Sequence, residues 1–363
     1  MSGSGRGLLT LGLSVCSAAV AVTGVILGVQ TDGTAGATAT IGVPGTVGVP
    51  QVQTTPRFRP SAAAPATAST LWVDPANPAA KARTSLLGQG RAADAAQLSK
   101  IASQPTATWL TGDADTSVAT VTRVIGAATA VHQLPVFVTY YLPDRDCGGY
   151  SAGGAASAAQ YQAWVRAVAA ALGAQQAMVI VEPDGVAMAA SKSCAAATAS
   201  GHDALLSYAV TTLARQPKAR VYLDAGNAGW VANQASLLAH LRASGLNSAA
   251  GFALNVSNFR TLGDSLGYGN RLSALAGGAH YLVDTSRNGA GPLPAGSGYR
   301  GPSWCNPPGR ALGRAPSTRT GQPLVDAYLW VKYPGASDGS CGLGYPAAGT
   351  FWTDYALGLA QRS

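Results

Sequence analysis

Short apolar runs that stop abruptly at polar residues recur along most of this chain, and their rhythm constrains the fold more than any other feature. Eight are legible: Leu71–Val73, Ala107–Leu110, Val136–Leu142, Ala177–Val181, Arg220–Leu223, Gly251–Val256, His280–Val283 and Ala327–Lys332. Runs this short, rich in β-branched and aromatic residues and lacking strict polar alternation, read as strands buried on both faces of a parallel sheet. Ala-rich segments with helical spacing separate most of them. Ala159–Leu172 places Tyr161, Trp164, Val165 and Val168 on one face, and Ala204–Leu213 and Gln234–Leu241 follow the same rule. Alternating strands and helices give a parallel α/β barrel or a doubly wound sheet. The glycine fingerprint of dinucleotide-binding folds is missing, so the expected fold is a distorted parallel β/α barrel of seven to eight strands.

The first 69 residues are unlike the rest. Leu8–Val29 is an unbroken run of apolar and small residues, which reads as an export signal or an uncleaved membrane anchor. Cys16, inside that run, reads as an inert thiol. Residues 31–69 are mostly Thr, Ala, Gly, Pro and Val, with Asp32 the one charge before Arg57, the composition of a flexible linker. The expected organisation is therefore 1–30 export segment or anchor, 31–69 linker and 70–363 one large domain, secreted or tethered at the cell surface.

Beyond Cys16 the chain has Cys147, Cys194, Cys305 and Cys341. An even number in an exported chain argues for two disulfides, with three connectivities open. Pairing neighbours would close loops near strand ends. No CxxC or HxxxH spacing supports zinc. The net charge is +8, yet Lys and Arg are scattered without a basic run, which argues against a nucleic-acid partner.

The strand ends carry the chemistry. Asp74, Asp144, Asp146, Glu182, Asp184, Asp224, Asn255, Asn258, Asp284, Lys332 and Asp338 all fall at or just after apolar runs, in a chain with only 16 Asp and Glu. In a parallel barrel the active site forms at the C-terminal strand ends. Two carboxyl groups in one partly dry cleft push their pKa values apart, leaving one protonated and one ionised, as general acid/base hydrolysis needs. Trp72, Trp230 and Trp304 sit beside these polar ends and suit stacking on sugar rings. Asp284 and Asp326 read as structural, and Asp144 as a tie for its loop.

These motifs, in order, resemble glycoside hydrolase family 6, the inverting cellulases. They are Tyr140-Tyr141-Leu142-Pro143-Asp144-Arg145-Asp146-Cys147, Val181-Glu182-Pro183-Asp184, Tyr222-Leu223-Asp224-Ala225-Gly226, Asn255-Val256-Ser257-Asn258, Asp284-Thr285-Ser286-Arg287-Asn288-Gly289, Trp304-Cys305-Asn306, and Trp330-Val331-Lys332 followed by Asp338-Gly339. The resemblance implies Asp184 as general acid and Asp146 as the partner that raises its pKa. It implies Tyr140 beneath the distorted sugar, Asp224 supporting the acid, and Trp72, Trp230 and Trp304 as stacking platforms. Asn258 and Lys332 would contact substrate. Asp338 would be the base, unless water is relayed towards Asp146. The implied disulfides are Cys147–Cys194 and Cys305–Cys341. The implied partner is a β-1,4-glucan acted on by a monomer without metal or organic cofactor.

Three positions depart from the family pattern. Ala152 stands where Ser is frequent (Ser151 is adjacent), Asn227 where His is usual, and Ala336 where Glu is common. They keep two alternatives open: a glucan-binding protein with weak or lost hydrolysis, and a hydrolase of another β-glucan. The short stretch from Lys332 to Asp338 suits an open cleft and internal cleavage.

Overall fold

A computed structural model describes residues 69–195 and 201–363. The expected export segment and all but the last residue of the expected linker lie outside the described residues. No helix among those described is long and apolar enough to cross a membrane.

Among the described residues, seven strands form one sheet in sequential order: β1 Thr108–Leu110, β2 Val136–Thr139, β3 Ala177–Val181, β4 Ala219–Asp224, β5 Gly251–Leu254, β6 His280–Asp284 and β7 Val325–Leu329. Every neighbouring pair is parallel, as expected for strands joined mostly by helical crossovers. The first apolar run does not become a strand. Leu71 makes only an isolated bridge to Leu134, because Asp74 and Pro75 follow and the chain turns into the helix Pro78–Gly88.

Side chains alternate between two apolar layers. Val138, Met178, Ile180, Tyr222, Ala253, Leu282, Ala327 and Leu329 fill the inside of the curled sheet. Phe137, Val179, Val181, Leu223, Phe252 and Val283 point outward against helix residues such as Trp164, Val168 and Leu206. That is the period-2 geometry of a strand with both faces buried. The sheet stays open between β1 and β7. Across that seam Ala107 N–H donates to the Trp330 carbonyl (3.0 Å) and Trp109 Nε1 to the Val331 carbonyl (2.8 Å).

At the N-terminal strand ends Asp326 receives Arg220 Nη2 and Tyr222 Oη at 2.7 Å each and lies 2.8 Å from His280 Nδ1. This satisfied polar plug closes the bottom of the sheet and gives Asp326 its structural role.

Candidate active site

Where β2 leaves the sheet, the N–H groups of Tyr141 and Leu142 lose their strand partners. The Glu182 carboxylate, from the end of β3, accepts both, at 2.9 and 3.0 Å, together with Tyr161 Oη at 3.1 Å. Glu182 is buried, which pushes its pKa up to about 7 against the lowering effect of those donors. The loop that follows is held by Arg145, which donates to the carbonyls of Tyr140, Ser151 and Ala152 and lies 4.7 Å over the Tyr140 ring. His202 Nε2 lies 3.0 Å from the Pro143 carbonyl. The Cys147–Cys194 disulfide ties down the far side. Asp146 emerges partly exposed, with Oδ2 accepting the Ser151 N–H at 2.6 Å. Burial raises its pKa, while Ser151, Arg145 and Lys332 oppose the rise.

Asp184 sits at the start of the short helix Gly185–Ser191 with its carboxyl towards the cleft. Its N–H donates to Asp224 Oδ2 at 2.9 Å, and Gly226 N–H donates to the same oxygen at 3.1 Å. Asp224 Oδ1 is buried without a hydrogen-bond partner. Burial, then the charges of Asp224 and Asp146, raise the Asp184 pKa well above the carboxylate range. Burial also raises Asp224, to about 7. A carboxyl that keeps its proton here is equipped to donate it.

Asp338 lives in the opposite environment. Arg287, itself fully buried, grips it through Nη1 at 2.8 Å and Nη2 at 3.1 Å. Lys332 Nζ lies 3.1 Å away, and Asn306 N–H donates at 2.9 Å. Burial alone would raise its pKa, but Arg287 and Lys332 together hold it below the ordinary value. Asp284 anchors this side by accepting the backbone N–H groups of Ser257, Ser286, Val331 and Lys332. The Cys305–Cys341 disulfide fixes the loops that carry Trp304 and Asp338.

Backbone strain concentrates at the same place. Asp144, Asp146, Cys147, Glu182, Asp184, Asn255, Ser257, Asn306 and Cys341 all have φ between +45° and +74°. Left-handed non-glycine residues are uncommon and cluster at functional sites.

A cleft of about 800 Å³ opens over these strand ends, lined among others by Tyr140, Asp146, Asp184, Trp230, Asn258, Trp304, Lys332 and Asp338. The structure thus brings together most of the residues singled out in the sequence. Asp224 lies beneath this floor, buried against Asp184. Trp72 does not join the cleft: it is 5% exposed and packed in the outer apolar core. The stacking role expected of Trp72 is therefore corrected to core packing, since a buried ring has no open face for a sugar. Asn227 lines the cleft, whereas Ala152 and Ala336 line an adjoining cavity of about 610 Å³.

Glu182, Arg145, Arg287 and Trp109 had no assigned role in the sequence reading. The signal for Glu182 was a charge ending an apolar run. Arg287 stands in the Asp284-to-Gly289 motif, but nothing local to that motif reveals its partner Asp338, which lies 51 residues away. Among the described residues, no three His, Cys, Asp or Glu side chains converge as a metal site.

Comparison with known proteins fits this geometry. Residues 66–363 match the family model for glycosyl hydrolases family 6. Endoglucanase 1 of Streptomyces sp. (strain KSM-9) is 42% identical over 67% of this chain and 66% of its own length. Endoglucanase A of Cellulomonas fimi is 39% identical over 82% of this chain and 62% of its own. The chain thus spans a little under two thirds of the length of these relatives. Among solved structures, the endoglucanase Cel6 from Mycobacterium tuberculosis, in complex with methyl-cellobiosyl-4-deoxy-4-thio-β-D-cellobioside, superposes with a TM-score of 0.76. It is 43% identical, over 82% of this chain and 98% of that one. A curled parallel sheet with paired acids at its strand ends, matched over the whole described domain, places this chain in glycosyl hydrolases family 6.

Proposed function

We propose that the chain is an exported endo-β-1,4-glucanase that hydrolyses internal bonds of cellulose or soluble cello-oligosaccharides with inversion. Residues 70–363 are its catalytic domain, behind an export segment (1–30) and a linker (31–69). The observation that carries this reading is Asp184: a cleft carboxyl kept protonated by burial and by two neighbouring carboxylates. It donates its proton to the leaving glycosidic oxygen as the bond breaks, while the sugar passes through an oxocarbenium-like transition state. Asp224 fixes the acid from below. Tyr140 lies under the reacting sugar, Trp230 and Trp304 stack on neighbouring units, and Asn258 and Lys332 bond hydroxyls.

Water attacks from the opposite face and needs a proton acceptor. Asp338, held ionised by Arg287 and Lys332, is a weak base and serves as their counter-charge. Asp146, whose pKa is raised, is better matched to accept the water proton. Internal cleavage is supported by the short link from Lys332 to Asp338 and by an exposed cleft rim, where Trp304 is 46% accessible.

A substrate panel tests this reading. Reducing ends should appear from soluble cellulose derivatives and be abolished by Asp184→Ala, with the α-anomer formed first by proton NMR. Initial β-anomer would sink inversion. Equal inactivity of wild type and Asp184→Ala, with both binding cellohexaose, would favour a glucan-binding protein. Preference for mixed-linkage glucan or xylan would redirect the substrate.

A further inference from the structure

The cleft holds a charge that the proposed hydrolysis does not use. Arg260 lines it beside Asn258, Phe259 and Trp230. Its backbone is engaged: the N–H donates to Asn255 Oδ1 at 3.0 Å, and the carbonyl accepts Asn288 Nδ2 at 3.0 Å. Its guanidinium is not. Nε is buried with no protein acceptor, and the side chain enters no ion pair among the described residues. The other cleft-side cations are committed. Arg287 and Lys332 pair with Asp338, and Arg145 with three backbone carbonyls.

The chain beside Arg260 is cut away to seat it. Gly229 lies against the guanidinium, and a Cβ at that position would overlap it. Gly229 is itself held in a tight turn by its N–H bond to Asn227 Oδ1 at 3.0 Å. A partly buried guanidinium without a counter-ion is unfavourable. Its planar fork of N–H donors matches an oxyanion with two parallel charge-assisted bonds, which a neutral hydroxyl cannot supply.

We infer that Arg260, seated on Gly229 beside Trp230, forms a subsite for a carboxylate borne by the glucan, so that the cleft prefers chains carrying acidic sugar units or acidic substituents. This rests on the glucanase reading of the cleft. The excess of positive charge over the whole chain, +8, would also draw a polyanionic chain towards it.

The test compares carboxymethyl cellulose with hydroxyethyl cellulose of matched substitution, for wild type, Arg260→Gln and Arg260→Lys. At low salt, the wild-type ratio of kcat/KM on the anionic over the neutral polymer should exceed that of Arg260→Gln by about tenfold, the size of one charge-assisted contact. Added salt should narrow the difference. Arg260→Lys should recover only part of it, having charge without the fork. Equal ratios in wild type and Arg260→Gln would overturn the inference. If wild type cleaves neither polymer, the glucanase reading fails, and the subsite is judged by equilibrium binding instead. A carboxylated cello-oligosaccharide should then bind wild type more tightly than its neutral parent, with the difference lost in Arg260→Gln; equal binding of the two by wild type overturns it.

Discussion

Asp184 and Asp338 are the same residue type in one cleft, and their surroundings set them apart. Asp184 faces two other carboxylates and loses little by being neutral. Asp338 faces a buried arginine and a lysine and stays charged. Replacing Asp184 with Ala should therefore lower kcat by about 10²–10⁴-fold while leaving thermal unfolding unchanged or slightly higher. Asp338→Ala should behave differently, because it strands the Arg287 charge in the core. We expect a loss of about 3–5 kcal/mol in urea unfolding. Full stability in that variant would show that Arg287 is not held by this pair. Asp146→Asn removes a charge that raises the Asp184 pKa, so the pH limb set by the acid should move to lower pH in a kcat profile. An unmoved limb would disconnect the two residues.

At the scale of elements, the ends of β2 and β3 act as one unit because Glu182 bridges them. Glu182→Ala leaves two N–H groups without their acceptor, at about 1–3 kcal/mol, and should release the loop that carries Asp146. Amide exchange should rise across residues 141–146, and kcat should fall more than KM changes. Glu182→Gln can still offer its carbonyl to both N–H groups and its amide to Tyr161 Oη, so it should retain most of the activity. Exchange confined to residues 141 and 142 would mean that the disulfide and Arg145 alone hold the loop. The strand positions themselves were legible, since apolar runs ended near polar or charged residues where the sheet ended. The first run was the exception. Leu71–Val73 has the composition of a strand but too little chain before Asp74 and Pro75, and composition alone does not reveal whether an edge will pair.

The whole molecule holds several buried carboxyl groups at raised pKa, and that sets its pH response. Glu182 and Asp224 are raised to about 7 and Asp184 well above the carboxylate range, all above their unfolded values near 4. Groups with raised folded pKa contribute stability below the unfolded pKa and lose it as pH rises through the folded one. Asp338 works in reverse, its contribution failing only in acid, and burial of neutral His202 opposes the trend with a single proton. The melting temperature should therefore fall from about pH 5 to pH 8, and Asp224→Asn should flatten that slope. A melting temperature that rises over this range would contradict the protonated assignment.

By itself the sequence determined the parallel strands, the acids at their C-terminal ends and the family, because periodicity and ordered motifs are local properties of the chain. The tertiary structure decided which of those residues meet. It buried Trp72 in the core, set Arg287 on Asp338 across 51 residues, and left Arg260 facing the cleft without a counter-ion. Burial and choice of partner depend on how distant segments pack, and a carboxyl becomes an acid or a counter-charge only when that packing fixes its neighbours.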